Sequence, residues 1–358
     1  MGRAGGFFSL QGGGMKKKKK IGILTGGGDC PGLNPVIAGV VRKAMLEGYE
    51  VAGIMRGWKG MLECDERPLG LKDILGIVRE GGTIIRTSRT NPCKSAELME
   101  KVIGNFRKMG LYALVAVGGD DTLGAAKKIF DAGLPTVGVP KTIDNDLSGT
   151  DRTFGFDTAI NTAMEACDRL STTAESHERV MVVEIMGRHA GWMALWAGLA
   201  GGASYILIPE VKTDLDELCA LLKERHEKYA DFSIVAVAEG AELGGDIHLQ
   251  TQEKDAFGHV RLGGVGERLA EEIQKRTGYE TRHVILGHLQ RGGRPSALDR
   301  FIGLRFGLHA VELIAAGRFG RMVSLRGNEV TSVPLSEAVS RLRTVGPELY
   351  EEARAFFI

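Results

Sequence analysis

The sequence has almost no net charge, no paired cysteine motif and no long apolar run, and each absence removes a class of function. Lys and Arg total 46 against 45 Asp and Glu, a formal charge of +1. That balance argues against a protein that binds nucleic acid or a membrane by charge. No apolar stretch is long enough and charge-free enough to span a bilayer. The most apolar one, 192–208, is interrupted by Gly198, Gly201 and Gly202 and reads as a buried helix, a turn and a strand. The five cysteines, Cys30, Cys64, Cys93, Cys167 and Cys219, are odd in number and form no CxxC. They read as reduced thiols of a cytoplasmic protein, not as a disulfide frame or a zinc site. Cys30 lies in a glycine-rich turn, but no histidine stands near it to make it a nucleophile. There is no internal repeat. Low complexity is confined to the start, where a Gly-rich stretch to Gly14 is followed by Met15 and five lysines. With no cleavage-type site after it, residues 1–20 read as a disordered extension, with Met15 as an alternative start.

What is present is the balance of a soluble enzyme: 43% hydrophobic and 25% charged residues over 358 positions, a length that favours two lobes over one core. Short apolar runs alternate with helix-period segments. Strands are expected over 21–25, 50–55, 113–117, 136–139, 180–185, 203–208, 233–238 and 283–286. Helices are expected over 34–47, 122–132, 159–172, 191–199, 215–229, 264–277 and 299–316. This alternation predicts an α/β protein with mainly parallel sheets covered on both faces, and places ligands at the carboxyl ends of the strands.

The polar motifs stand there. Thr25-Gly-Gly-Gly-Asp-Cys-Pro-Gly-Leu-Asn34 joins a strand to a helix. Its glycines would let backbone N–H groups approach an anion, though a tight turn needs the same residues, and the lysine of a P-loop is missing. Gly118-Gly-Asp-Asp-Thr122 sets two carboxylates at a strand end. Asp near phosphate points to Mg²⁺, which takes hard oxygen ligands; the alternative is simple helix capping. Pro140-Lys-Thr-Ile-Asp-Asn-Asp146 puts carboxylates beside a cation, the pairing needed to activate a hydroxyl and neutralise a transferring phosphoryl group. Arg89, Arg179, Arg188, Arg282 and Arg291 stand in loops beside apolar strands. Each could hold phosphate in bidentate fashion or make a surface ion pair.

Taken in order, Thr25-Gly-Gly-Gly-Asp, Gly118-Gly119-Asp120, Thr142-Ile-Asp-Asn-Asp146, Met186-Gly-Arg188 and His288-Leu-Gln-Arg291-Gly-Gly resemble the motifs of the phosphofructokinase family. The likeness covers roughly residues 20 to 320. NAD and diacylglycerol kinases share a Gly-Gly-Asp motif, but have no reason to carry the third and fifth motifs together.

The resemblance implies two Rossmann-like lobes with the active site in the cleft between them. A donor-binding lobe would comprise 21–155 plus about 289–340, and a sugar-phosphate lobe 156–288 plus about 341–358. It implies that Gly28 and Arg89 meet the phosphoryl donor, that Asp120 holds Mg²⁺, and that Asp144 is the base for the 1-hydroxyl of fructose 6-phosphate. Thr142, Ile143, Met186, Gly187, Arg188 and Glu239 would line the sugar site, with Arg188 also catalytic. His288, Leu289, Gln290 and Arg291 would meet the 6-phosphate. Arg179 and Arg282 resemble arginines that reach into a neighbouring subunit's site, which implies a homodimer or homotetramer.

Two positions depart from the ATP-using pattern. Asp121 and Lys141 replace glycines and resemble the pyrophosphate-dependent branch. A carboxylate at Asp121 would repel a nucleotide α-phosphate, by about 4 kcal/mol at 4 Å and an effective dielectric of 20. Lys141 would stabilise the leaving phosphate. The expected donor is therefore pyrophosphate, with an ATP-dependent 6-phosphofructokinase as the alternative. For ATP, Trp58 and the loop Thr90-Asn91-Pro92 would have to hold the adenine. Ala38, Leu71 and Ser171 replace basic residues of the effector site of ATP-using relatives, which implies an enzyme without nucleotide regulation.

Overall fold

A computed structural model describes residues 18–244 and 263–358 of the chain. The extension expected over residues 1–20 lies outside these as far as residue 17. In chain order the strands are β1 (Lys20–Thr25), β2 (Glu50–Ile54), β3 (Glu66–Leu69), β4 (Leu111–Gly118), β5 (Thr136–Pro140) and β6 (Val180–Ile185). They continue with β7 (Tyr205–Leu207), β8 (Ser233–Ala238), β9 (Thr281–Ile285), β10 (Arg321–Arg326) and β11 (Glu329–Pro334). A seven-stranded sheet has the order β11-β10-β5-β4-β1-β2-β3, and a four-stranded sheet the order β7-β8-β6-β9. The fold is α/β, with every pairing of the smaller sheet parallel.

The larger sheet is parallel except at its rims. There β3 pairs antiparallel with β2, and β11 with β10. Neither rim strand is expected from the alternation of strands and helices. β11 returns from β10 through Gly327-Asn328, with Gly327 at φ 55°, a short reversal of hairpin type. β3 follows only a short helix, Trp58–Glu63, and Cys64 in a left-handed conformation. The segment between these two reversals is long enough for crossover helices, and there the parallel expectation holds.

Register explains why distant motifs meet. Thr25 of β1 lies opposite Val117 of β4, and Gly118 of β4 opposite Pro140 of β5. Three strands thus end side by side, and the loops starting at Gly26, Gly119 and Lys141 leave the sheet together. From β1 the chain crosses to β2 on one side; from β4 it crosses to β5 on the other. The gap between β1 and β4 is the switch point at which such sheets bind ligands. In the smaller sheet Ile185 lies opposite Ala238, and Glu184 opposite Ile285, so the loops at Met186, Glu239 and Leu286 likewise leave together.

One carboxylate ties the long helices to each other. Asp299, in the first turn of helix Ala297–Ala315, is fully buried and accepts hydrogen bonds from Gly155 N at 2.9 Å, Thr158 N at 2.8 Å and Thr158 Oγ1 at 2.5 Å. Gly155 itself, the N-cap of helix Phe156–Ser176, has no side chain to offer. Asp299 therefore caps that helix from outside it. Burial pushes the carboxyl up to about 6, so it is ionised at neutral pH and its hydrogen bonds are charge-assisted. Asp299→Ala leaves three buried donors unpaired and is expected to destabilise by at least about 3 kcal/mol, read as a lower denaturant midpoint. An unchanged midpoint would remove the capping role.

Candidate active site

The glycine turn after β1 is closed by contacts from elsewhere in the chain. Gly27 N donates to Ser88 O at 3.1 Å, and Thr87 Oγ1 to Gly27 O at 2.7 Å. A Cβ at Gly28 would stand 2.5 Å from Arg291 Nη1 and 2.9 Å from its Cζ, so any side chain there would push the guanidinium away from the turn. Arg291 Nη1 also donates to Asp29 O at 3.2 Å, while its Nε is buried without a partner. Lys141 comes to the same turn from β5. Its side chain is only 4% exposed, and Nζ donates to the carbonyl of Gly28. Burial pushes the Lys141 ammonium down from its ordinary value, an effect that Cys30 opposes and the Arg291 charge reinforces. A buried cation held down in this way gains from an incoming anion. Cys30 is buried beneath the turn, and burial pushes its thiol up to about 12, which leaves it unreactive.

Helix Asp120–Asp131 begins directly after β4, with Gly119 as N-cap and no side-chain cap. Asp120 and Asp121 thus occupy the first turn and not the N-cap position, where their charges also favour the helix start. Asp120 is exposed and Asp121 half-buried. Beyond Lys141 the chain bends sharply at Asn145, whose φ is 54°. Asn145 Oδ1 accepts from Thr153 N at 3.0 Å, and Asp144 N donates to Thr142 Oγ1 at 3.1 Å. Asp144 Oδ1 is shut away from solvent with no hydrogen-bond partner. Burial pushes the Asp144 carboxyl up; Arg291 and Arg188 draw it back, while Asp120 adds to the rise. Asp146 is pushed up to about 7 by burial and then by the charges of Asp144 and Asp120.

The second sheet faces this cluster with Met186-Gly187-Arg188. Gly187 O accepts from Gly240 N at 3.2 Å, and Glu239 N donates to Ile185 O at 2.8 Å, so the Glu239 loop lies against the Arg188 loop. Glu239 is pushed up to about 7 by burial and by Asp144, against the pull of Arg188. Gln290 is fully buried and its Oε1 accepts from Met186 N at 3.3 Å, which seats the His288–Arg291 turn on the same loop. The arrangement is a cleft between two sheets, with cations Lys141, Arg188 and Arg291 around carboxylates from both sides. It can bind anions, and it holds a carboxylate ready to take a proton.

A family model described as phosphofructokinase matches residues 20–314. The chain belongs to the phosphofructokinase family. The pyrophosphate--fructose 6-phosphate 1-phosphotransferase of Amycolatopsis methanolica is 58% identical over 341 residues, 94% of this chain and 99% of the relative. ATP-dependent 6-phosphofructokinase 3 of Streptomyces coelicolor is 50% identical over 336 residues, 93% of this chain and 98% of the relative. Among solved structures, Pichia pastoris phosphofructokinase superposes with a TM-score of 0.81 at 31% identity, over 97% of this chain and 37% of that one.

Of the residues that the phosphofructokinase motifs single out, Gly28, Asp120, Lys141, Thr142, Asp144, Met186, Gly187, Arg188, Glu239, Gln290 and Arg291 lie on these adjoining loops, while Ile143 is buried in the core and Asp121 is half-buried next to Asp120. Arg89 is exposed, on the loop whose Ser88 holds Gly27. His288 and Leu289 are exposed, Leu289 at 71%. Arg179 and Arg282 are elsewhere. They stand at the amino ends of β6 and β9, while Arg188 follows the carboxyl end of β6. Six residues of strand separate the two ends, about 20 Å. Both arginines pair with Glu280, at 2.9 and 2.6 Å. Within one chain they make the ion pairs that the sequence left as the alternative, and they cannot reach that chain's own cleft. Asp146, the last residue of the Thr142–Asp146 motif, lies near Asp144 and Asp120 as well. It is the third carboxylate among neighbours of like charge.

Proposed function

We propose that the chain transfers a phosphoryl group reversibly between pyrophosphate and the 1-hydroxyl of fructose 6-phosphate, forming fructose 1,6-bisphosphate and phosphate in the cytoplasm. The observation that carries this reading is Lys141, a buried ammonium on the Gly28 carbonyl with Asp29 and Asp144 as its carboxylate neighbours. It offers a short anion a point charge. Asp121 stands where a longer nucleotide would have to pass.

The sugar phosphate lies in the cleft with its 6-phosphate toward Arg291 and His288, and its ring against Met186, Gly187, Arg188 and Glu239. Asp144 accepts the proton of the 1-hydroxyl as that oxygen bonds to phosphorus and the bridging P–O bond of pyrophosphate breaks. Lys141 meets the charge that develops on the departing phosphate, and Arg89 and Arg188 meet the transferring group. Among the described residues no three His, Cys, Asp or Glu side chains converge as an all-protein metal cage. Asp120, with Asp144 and Asp146 of like charge near it, nevertheless suits a hard divalent cation that takes its remaining oxygens from substrate and water. Mg²⁺ held at Asp120 would neutralise donor oxygens. Purified protein with Mg²⁺ and fructose 6-phosphate is expected to turn over with pyrophosphate at a kcat/KM at least tenfold above that with ATP. Efficient use of ATP in that assay would establish the alternative donor.

Arg179 and Arg282 serve the cleft of a second subunit, so the working enzyme is a homodimer or homotetramer. Mixing Arg179→Ala with Arg291→Ala protein should regain part of the lost activity, because some hybrid sites then hold both arginines. Verified hybrids without regained activity would overturn sharing.

A further inference from the structure

We infer that Arg343, which lies beyond the residues matched by the family model, is a positioning residue that sets the base-bearing loop against the sugar-binding loop. The inference rests on the reading of Asp144 as the base.

The segment 341–345 runs antiparallel along the back of the Thr142–Ser148 loop. Leu342 bridges Leu147, and Ser148 Oγ donates to Arg341 O at 2.8 Å. Arg343 N donates to Asp146 O at 2.7 Å, and its Nη1 to Asn145 O at 3.2 Å. Both carbonyls belong to the residues that follow Asp144, one of them the left-handed Asn145 at φ 54°. A left-handed non-glycine residue persists only where its surroundings hold it. The side chain of Asn145 is held by Thr153, and its carbonyl by Arg343.

The same guanidinium lies 4.2 Å over the ring of Trp192, whose Nε1 donates to Arg343 O at 3.0 Å. Trp192 starts the helix that follows Met186-Gly187-Arg188. Two residues further along, Val345 N donates to Glu210 Oε1 at 2.8 Å, and Glu210 also accepts from Gly191 N at 2.9 and 3.0 Å. Arg343 therefore touches both sides of the cleft. Its main-chain bonds survive substitution by alanine or lysine; the guanidinium joins the Asn145 carbonyl to the indole face. Losing that link frees Asn145 to relax, and Asp144 moves with it. A displacement on the order of 1 Å at a reacting group lowers rate by about 10².

The test compares Arg343→Ala, Arg343→Lys and Asp144→Asn, with kcat and KM measured per folded protein. Arg343→Ala should lower kcat by about 30- to 100-fold with KM for fructose 6-phosphate changed less than threefold. Added guanidinium ion at millimolar concentration should recover at least a third of the lost log kcat, and Arg343→Lys should fall between. A purely structural arginine would lower thermal stability and leave kcat of the folded protein intact. Arg343→Ala kcat within threefold of the parent, a loss confined to KM, or a loss that guanidinium leaves untouched would each overturn the assignment. Should the alanine variant fail to fold, Arg343→Lys carries the test, with a kcat equal to the parent's overturning it. If Asp144→Asn keeps its activity, the base reading has failed instead.

Discussion

Asp144→Asn is expected to retain fructose 6-phosphate binding while kcat falls by about 10² or more. The amide keeps the size of the side chain, and the loop is held by Asn145, Thr153 and Arg343, not by the Asp144 carboxyl. What is lost is the ability to accept a proton. Oδ1 is buried without a partner, and burial raises the carboxyl's affinity for a proton, so it has reason to take one when the hydroxyl attacks. The amide also removes one negative charge from a cluster that already contains Asp120, Asp146 and Glu239. Sugar-phosphate affinity should therefore hold or tighten, read as an unchanged or lower dissociation constant beside the fallen kcat. A near-normal kcat would move the base elsewhere, with Asp146 the first candidate.

The second large effect concerns the donor. Lys141→Gly should reduce pyrophosphate turnover by about 10²–10³ in kcat, by analogy with removing one oxyanion donor, and should not admit ATP because Asp121 remains. Lys141→Met, which keeps the volume of a buried chain, separates this loss from that of packing. Asp121→Gly should gain measurable ATP turnover and keep part of the pyrophosphate activity; a glycine in a first helical turn destabilises by only about 1 kcal/mol. The double variant should prefer ATP, though weakly. Trp58, one of two supports expected for an adenine, is fully buried in the core and cannot stack on a base. Only the Thr90-Asn91-Pro92 loop remains. The effects should not add, since both groups act on one donor. The measurement is kcat/KM for both donors across parent, singles and double. No ATP gain in Asp121→Gly, with a parent that already uses ATP well, would end the donor-switch reading.

Which parts of this site were legible follows from how local each one is. The glycine turn, Gly118-Gly119-Asp120 and Thr142–Asp146 each stand at the end of a buried strand, where an apolar run stops abruptly at polar residues. Strand β6 and strand β8 were legible to the residue because each is a short, fully buried, valine-rich run with sharp edges. Strands β3, β10 and β11 were not. Glu66–Leu69 and Glu329–Pro334 are half-buried rim strands with mixed composition, and such strands carry a weak pattern. Helix Ala96–Lys108 was also missed; only Val102 and Phe106 of its thirteen residues are buried. Arg343 and Asp299 left no local mark at all. Each acts on a loop or helix more than a hundred residues away in the chain, which only tertiary packing discloses.

The strand order also governs how the chain must be made. Five strands of the larger sheet come from residues 20–140, but β10, which covers β5, starts at Arg321. During synthesis β5 presents an open parallel rim while some 180 residues are still to be added, roughly 10–40 s at 5–20 residues per second. The smaller sheet lies wholly within 180–285 and has all four strands before that rim is covered. The nascent chain is therefore exposed to strand-to-strand association for about half of its translation, and truncation before residue 321 should yield insoluble protein even though every motif of the cleft has been made.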